Sequence, residues 1–263
     1  MSTPASTQVP ESPLVSVSIV SHGDAEPLQA LLTSLAAHEN AGALQLIITD
    51  NLGRDLPEIQ PSGWHSVVML RNARPLGFAA NHNVAFQHVG GQYFCVLNPD
   101  ALFLGSVFRP LMRRFERREC DLAAPIVVDS QGRVQDSFRR LPSPSELVWR
   151  RMRRSSLAPE PAAGAILHPD WVAGTFMLMS SQAFSRLSGF DSRFRLYFED
   201  VDLCTRARLM GMTILVDAGL RLQHDPRRAS RTAGRYLLWH VQSALRFFAS
   251  DVYRRARRMN AHV

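Results

Sequence analysis

The chain has 263 residues, 46% of them apolar and 20% charged, which suits one large or two small globular domains with a substantial core. No apolar run approaches the roughly 18 residues of a membrane-spanning helix, and the three cysteines, Cys95, Cys120 and Cys204, suit a reducing compartment and form neither a disulfide framework nor a zinc pattern. The net charge is +7 and all 30 basic residues are arginine, which leaves open anionic partners from nucleotides to lipid headgroups or nucleic acid, or a codon bias against lysine.

Residues 1–13 are rich in Ser, Thr and Pro and lack a basic-then-apolar order, so they read as a disordered leader and not a signal peptide. The run 14–20 predicts a first strand and 21–24 a turn. Residues 26–37 follow as an amphipathic helix with Leu28, Leu31, Leu32 and Leu35 on one face. Residues 44–49 predict a second strand ending at Asp50-Asn51, 64–70 a third, and 81–88 a short helix. Tyr93 and the four residues after it are an unbroken apolar run, short enough for a strand buried on both faces. The run stops at Asn98-Pro99, because proline cannot donate to a sheet ladder. Strand, helix, strand, strand, helix, strand is the rhythm of an α/β fold with a mostly parallel sheet.

Beyond Asp100 the pattern predicts a basic helix over 106–118, a strand over 121–128 and a hairpin-like turn over 129–133. Residues 137–161 dissolve into Pro, Ser and Arg, with Arg150, Arg151, Arg153 and Arg154 clustered, and read as a flexible loop or lid. Residues 170–180 are apolar again, 182–187 and 198–210 read as helices, and 212–216 as a strand. The C-terminal piece, 233–263, reads as a basic amphipathic helix, apolar at Leu237, Leu238, Val241, Leu245 and Phe248. The organisation is a leader (1–13), a main body (14–232) and this C-terminal helix, with no internal repeat.

Acids stand at the ends of apolar runs: Asp50, Asp100 and the pair Glu199-Asp200. Carboxylates gathered at the C-terminal edge of a sheet suit nucleotide and metal binding. Asp100 can hold Mg²⁺ or Mn²⁺ against a phosphate, or simply cap a turn. Asp50-Asn51 either accepts from a nucleobase edge or caps its own turn. Gly77 permits close backbone approach, and Asn81 is placed to cap a helix and leave its N-terminal amides for an anion. Neither a Walker loop nor Gly-x-Gly-x-x-Gly occurs. Glu199, Asp200 and Asp202 crowd three acids together; their repulsion can raise one pKa and make a general base, or they form an acidic first helical turn. His224 is a packed or exposed histidine, or a metal ligand. Arg227, Arg228, Arg231 and Arg235 suit a diphosphate, a membrane surface or solvent.

In order and spacing, the stretch from Val17 to Ser21, Thr49-Asp50-Asn51, Asn72 with Gly77-Phe78 and Asn81, Leu97-Asn98-Pro99-Asp100, Trp171-Val172-Ala173-Gly174, Gly189-Phe190-Asp191, the acidic run after Tyr197-Phe198 and His224 together resemble the inverting family 2 glycosyltransferases, most closely their rhamnosyltransferase-like bacterial branch. The resemblance spans nearly the whole chain. It implies the A-type glycosyltransferase fold, a mixed, mostly parallel sheet flanked by helices around a nucleotide-diphosphate sugar. It implies that Asp50 reads the base, that Ser21, Asn72, Gly77 and Asn81 line the nucleotide pocket, and that Asp100 and His224 hold Mg²⁺ or Mn²⁺. Asp200 would be the catalytic base, with Trp171, Gly174 and Glu199 facing sugar and acceptor. Asn98 stands where the family's Asp-x-Asp motif has its first acid, a form common in this branch, and Leu52-Gly53-Arg54 stands where a Ser or Thr is usual.

The implied activity is metal-dependent transfer of a hexose, L-rhamnose among the candidates, from a dTDP- or UDP-sugar to a polysaccharide or lipid-linked acceptor, in the cytoplasm or at the inner membrane face. The helix bearing Arg246, Arg254, Arg255, Arg257 and Arg258 beside Phe247 and Phe248 suits anionic lipid, a homodimer or core packing. A nucleic-acid binder is disfavoured, since the arginines are scattered and no aromatics alternate with them. A non-catalytic sugar-nucleotide-binding homologue is the other alternative.

Overall fold

Val15–Ser21 (β1) and Leu44–Asp50 (β2) are buried along their whole length, the polar Ser16, Ser18 and Gln45 included. They pair in parallel, from Val15 opposite Leu44 to Ser21 opposite Asp50. Ala25–His38 (α1) crosses between them and buries the four leucines its period selects. Ser66–Arg71 (β3) adds to β2, Phe78–Phe86 (α2) returns the chain, and Tyr93–Leu97 (β4) pairs with the other side of β1. The order β3-β2-β1-β4 reverses its winding between β1 and β4, so a crevice opens beyond the carboxyl ends of these two strands. The computed structural model describes residues 14–23, 25–53, 56–147, 158–225 and 234–260. The leader, Arg54, the 150–154 arginine cluster, Arg227, Arg228, Arg231 and the side chain of Arg235 lie outside the described residues.

Ala101–Phe103 (β5), Phe108–Glu116 (α3) and Leu122–Val128 (β6) follow. Phe138–Arg139 (β7), Ile166–Leu167 (β8) and Trp171–Val172 (β9) are short, and Phe176–Ser180 (β10) leads into Ser181–Arg186 (α4). Glu199–Leu209 (α5) and Ile214–His224 (β11) complete the body. Among the described residues nine strands make the main sheet: β10 lies antiparallel between β4 and β6, β11 runs parallel to β6, and β5 and β8 pair antiparallel with β11. This is the mixed, mostly parallel sheet flanked by helices that the sequence predicts.

Four expectations are corrected. The second helix starts at Phe78, since extended Gly77 (φ −75°, ψ 166°) is its N-cap; Asn81 lies inside the helix and caps nothing. The expected loop over 137–161 contains β7, which pairs with β9 because Ala173 N donates to Ser137 O and Asp170 N to Arg139 O, both at 2.7 Å. The strand expected over 212–216 runs on to His224 through a register shift between Asp217 and Arg221.

The single long C-terminal helix is two helices, Gly234–Ala249 (α6) and Asp251–Asn260 (α7). Ser250 separates them, its Oγ accepting from Tyr253 N at 3.1 Å as an N-cap worth about 1 kcal/mol. The pair builds a satellite core in which Ala244, Phe247 and Tyr253 meet Phe194, Phe198 and Val201. Leu238, Val241 and Leu245, read as part of this helix's apolar stripe, are exposed.

Candidate active site

The crevice at the carboxyl ends of β1 and β4 holds a cavity of about 700 Å³, ordinary for a small-molecule site. His22, Asn51 and 75–78 form one wall, Asn98, Pro99 and Asp100 a second, and Arg195, Leu196, Tyr197, Tyr236 and Trp239 a third.

An amide network fixes the first wall. Asn51 Oδ1 accepts from Asn72 Nδ2 and from Leu76 N, both at 2.8 Å, and its Nδ2 donates to Leu76 O at 3.1 Å. Asn72 Nδ2 also donates to Asn81 Oδ1 at 2.6 Å. Asn72 and Asn81 therefore hold the 72–77 loop from behind and do not themselves line the cavity. Ser21 is buried, its Oγ accepting from Gly23 N at 3.2 Å. Gly77 lines the wall, and its lack of a side chain is required: a Cβ there would stand 2.4 Å from the Arg195 carbonyl oxygen. Beneath this wall His82 lies 2.8 Å from Ser18 Oγ, and burial with the charge of His22 lowers its pKa to about 3, so the ring is neutral and packs at 4.3 Å against Phe78.

Asp50 is buried. Its Oδ1 accepts from Leu52 N at 3.2 Å and Gly53 N at 2.8 Å, the turn-capping alternative, and Oδ2 lies 3.3 Å from Arg71 Nε. It borders a separate hollow of about 400 Å³ with Glu58, Ile59 and Met69.

The second wall is set by strand pairing. β5 places Ala101 opposite His224, which brings Asp100 Oδ1 to 3.2 Å from His224 Nε2, with Asn98 Nδ2 3.3 Å from the same nitrogen. Among the described residues no cluster of three His, Cys, Asp or Glu side chains forms. Asp100 lines the cavity while His224 does not, and a wall carboxylate with an imidazole 3.2 Å from it fits a hard cation whose other ligands are phosphate oxygens.

The third wall carries unusual backbone. Tyr197 (φ 70°) and Phe198 (φ 67°) are consecutive left-handed residues, a conformation costing about 1–3 kcal/mol for each side-chain-bearing residue. α6 compensates: Ser243 Oγ donates to Leu196 O at 2.9 Å, His240 stacks 5.0 Å from Tyr197, and Phe198 packs against Phe247 at 5.5 Å. The turn throws Glu199 and Asp200 onto the first turn of α5.

There the two acids meet different surroundings. Asp200 Oδ1 accepts from Val201 N at 2.8 Å and Oδ2 from Gly174 N at 3.1 Å, at a helix start that favours negative charge. Burial raises its pKa against those hydrogen bonds. Glu199 is also buried, with Oε2 finding no hydrogen-bond partner, and burial followed by the Asp200 charge pushes it up to about 8. The two carboxyls titrate as a pair, and the backbone donors stand at Asp200, where they favour the charged form, while Glu199 Oε2 has none. Asp202, the third acid of the run, is spent on Arg206 at 2.7 Å, away from this pair.

The structure thus brings Gly174 to Asp200, and Asp100 to His224. Gly174 is packed so closely that a Cβ would lie 2.6 Å from the Phe78 ring. Trp171 sits on β9, its Nε1 donating to Arg140 O at 3.1 Å, and like Glu199, Gly174 and Asp200 it lies behind the cavity lining. Residues missed from the sequence are His22, Arg195, Tyr197, Tyr236 and Trp239. The spacing of Tyr236 and Trp239, two aromatics about one helical turn apart, was the available signal.

The family model Glycosyl transferase family 2 matches residues 16–186. Rhamnosyltransferase WbbL of Escherichia coli (strain K12) is 25% identical over 248 residues, covering 90% of this chain and 93% of the relative. N-acetylglucosaminyl-diphospho-decaprenol L-rhamnosyltransferase of Mycobacterium tuberculosis is 24% identical over 261 residues, covering 88% and 82%. In three dimensions S. aureus TarS 1-349 superposes with a TM-score of 0.61 at 11% identity, over 90% of this chain and 66% of that one. GalNAc-T7 with UDP, GalNAc and Mn2+ gives 0.60 at 15% identity, over 81% and 44%. The chain therefore spans less than two thirds of either solved neighbour, and these two likenesses concern the fold. With the family model matched over most of its length, the chain belongs to glycosyl transferase family 2.

Proposed function

We propose that this glycosyltransferase inverts the anomeric carbon of its donor, moving L-rhamnose from a dTDP-sugar to a hydroxyl of a lipid-linked or polysaccharide acceptor. The observation that carries the mechanism is the seating of Asp200 at the start of α5, where its two oxygens accept from Val201 N and Gly174 N while Glu199 Oε2 beside it has no hydrogen-bond partner. Asp200 takes the proton of the acceptor hydroxyl; that oxygen forms a bond to the anomeric carbon, and the bond to the diphosphate oxygen breaks with its electron pair leaving on the nucleotide. Glu199 stays neutral, so no second charge competes for the proton, and Gly174 N steers the Asp200 carboxylate. Asp100 and His224 would hold Mg²⁺ or Mn²⁺, which supplies positive charge to the departing diphosphate. Asp50 and the adjoining hollow take the base, with Ser21, Asn72 and Asn81 fixing the loop around it, and Trp171 supports the acceptor side.

The rhamnosyl reading rests on the two relatives that carry that name at about a quarter identity over most of the chain. A UDP-sugar is the second reading, favoured by the UDP in the GalNAc-T7 structure. A thermal-shift panel of dTDP-, UDP- and GDP-sugars, with and without Mn²⁺, tests both. Stabilisation by a dTDP-sugar is expected, a UDP preference would shift the donor, and no response to any of them would overturn the transferase reading.

No helix among the described residues is long and apolar enough to cross a membrane. Contact with the inner membrane face is assigned to the outer side of α6 and α7. Phe247 is buried and Phe248 packs with it, so they are not the lipid-facing groups. Exposed Leu238, Val241 and Leu245 form the apolar stripe, with exposed Arg246, Arg255, Arg257 and Arg258 for anionic headgroups. Co-sedimentation with phosphatidylglycerol vesicles should be lost on Leu245→Asp. A concentration-dependent dimer without vesicle binding would give the stripe to a second copy of the chain.

A further inference from the structure

α6 lends Tyr236 and Trp239 to the third wall of the cavity, and the displacement chemistry above gives these two rings and Arg195 nothing to do. Arg195 is exposed at its edge and lays its guanidinium carbon 4.7 Å over the Trp239 ring. Trp239 is itself braced edge-on by Tyr236 at 5.3 Å. The main chain under Arg195 is seated on α2, its carbonyl accepting from Phe78 N at 3.0 Å. Arg193, two residues earlier, is taken by Asp191 at 2.6 Å; Arg195 is positioned by a ring instead. Stacking uses the face of a guanidinium and leaves its N–H edge, a fork that matches phosphate oxygens.

Under the reading above, the donor's diphosphate belongs to Asp100 and His224 on another wall. We infer that Arg195, held flat by Trp239, is a second diphosphate site in the same cavity, and that it receives the diphosphate headgroup of an amphiphilic acceptor. The same helix turns Leu238, Val241 and Leu245 outward, which gives the apolar tail of such a molecule a surface beside its headgroup. The inference rests on the transferase reading for its assignment of the donor to the other wall.

A diphosphate can come from either substrate, so the test separates them. Farnesyl diphosphate is titrated into the full chain, alone and saturated with dTDP and Mn²⁺, and dTDP is titrated separately. Wild type binds farnesyl diphosphate in both states. Arg195→Gln and Trp239→Leu weaken that binding about tenfold or more, Trp239→Phe retains most of it, and dTDP affinity stays within about twofold. Melting curves confirm that each variant is folded. Displacement of farnesyl diphosphate by dTDP, or a loss of dTDP affinity in Arg195→Gln, would assign the arginine to the donor and overturn the inference. Equal farnesyl diphosphate binding by Arg195→Gln and wild type would overturn it too. A wild type that ignores dTDP and UDP sinks the transferase reading instead, while the arginine dependence is still read on the nucleotide-free protein.

Discussion

The cavity joins two regions built on different principles. The β1–β4 half is a regular parallel sheet whose loops are tied by short polar contacts: Asn51, Asn72 and Asn81 for one loop, Asp50 for another, Asp100 with His224 at the edge. The 194–200 turn with α6 and α7 has two left-handed residues and few polar ties, and it is held by Phe194, Phe198, Phe247 and Tyr253. Polar ties preset a rigid binding surface for a substrate of fixed shape. Aromatic packing around a strained turn sets the direction of one carboxylate, and it does so from a helix far away in the chain. Under the proposed roles of these residues, binding and chemistry are therefore separable in this molecule.

Breaking the second region should strike chemistry hardest. Asp200→Asn is expected to lower kcat about 10³-fold while leaving the nucleotide-induced melting shift intact. A matching loss of nucleotide binding would erase the distinction between the regions. Breaking the first region should show in binding: Asp100→Asn or His224→Gln should weaken Mn²⁺-dependent nucleotide binding about 10- to 100-fold, read by titration with and without the metal. Phe198→Ala removes the ring that anchors the strained turn and should cost about 3–5 kcal/mol in urea unfolding, with nucleotide affinity in the surviving folded protein unchanged.

Asn72→Ala removes the donor to Asn81 Oδ1 and one of the two donors to Asn51 Oδ1. A stability loss of about 1–3 kcal/mol is expected, with a raised donor KM and an unchanged kcat. The smallest effect concerns Glu199. Its folded pKa, about 8, lies above the ordinary 4.5, so the folded state keeps a proton that the unfolded chain releases. That contribution is fully present below the unfolded value and is lost as pH rises through the folded one. Glu199→Gln should therefore flatten the fall in melting temperature as pH rises from about 5 to about 8. Parallel curves would mean that the proton is not held.

The β1–β4 half was legible because its signals are local. Period, a terminating Asn98-Pro99 and acids just past apolar runs locate strands and edge residues without knowledge of the partners. The helix boundary at Phe78 was not, since the Gly77 cap depends on contact with Arg195, far along the chain. The third wall was hidden for the same reason. Tyr236 and Trp239 read as one more apolar stretch until α6 docks on the 194–198 turn, and a left-handed Tyr-Phe pair has no sequence signature. The family motif singles out Asp200, the base proposed here, but the burial that raises the pKa of Glu199 beside it has no sequence signature.

The central claim is a single displacement with Asp200 as its base. Proton NMR of the product glycoside, against the known configuration of the donor, tests it most directly. The account predicts inversion at the anomeric carbon from the first turnover. Retention would require a covalent or front-side path and would contradict the role given to Asp200.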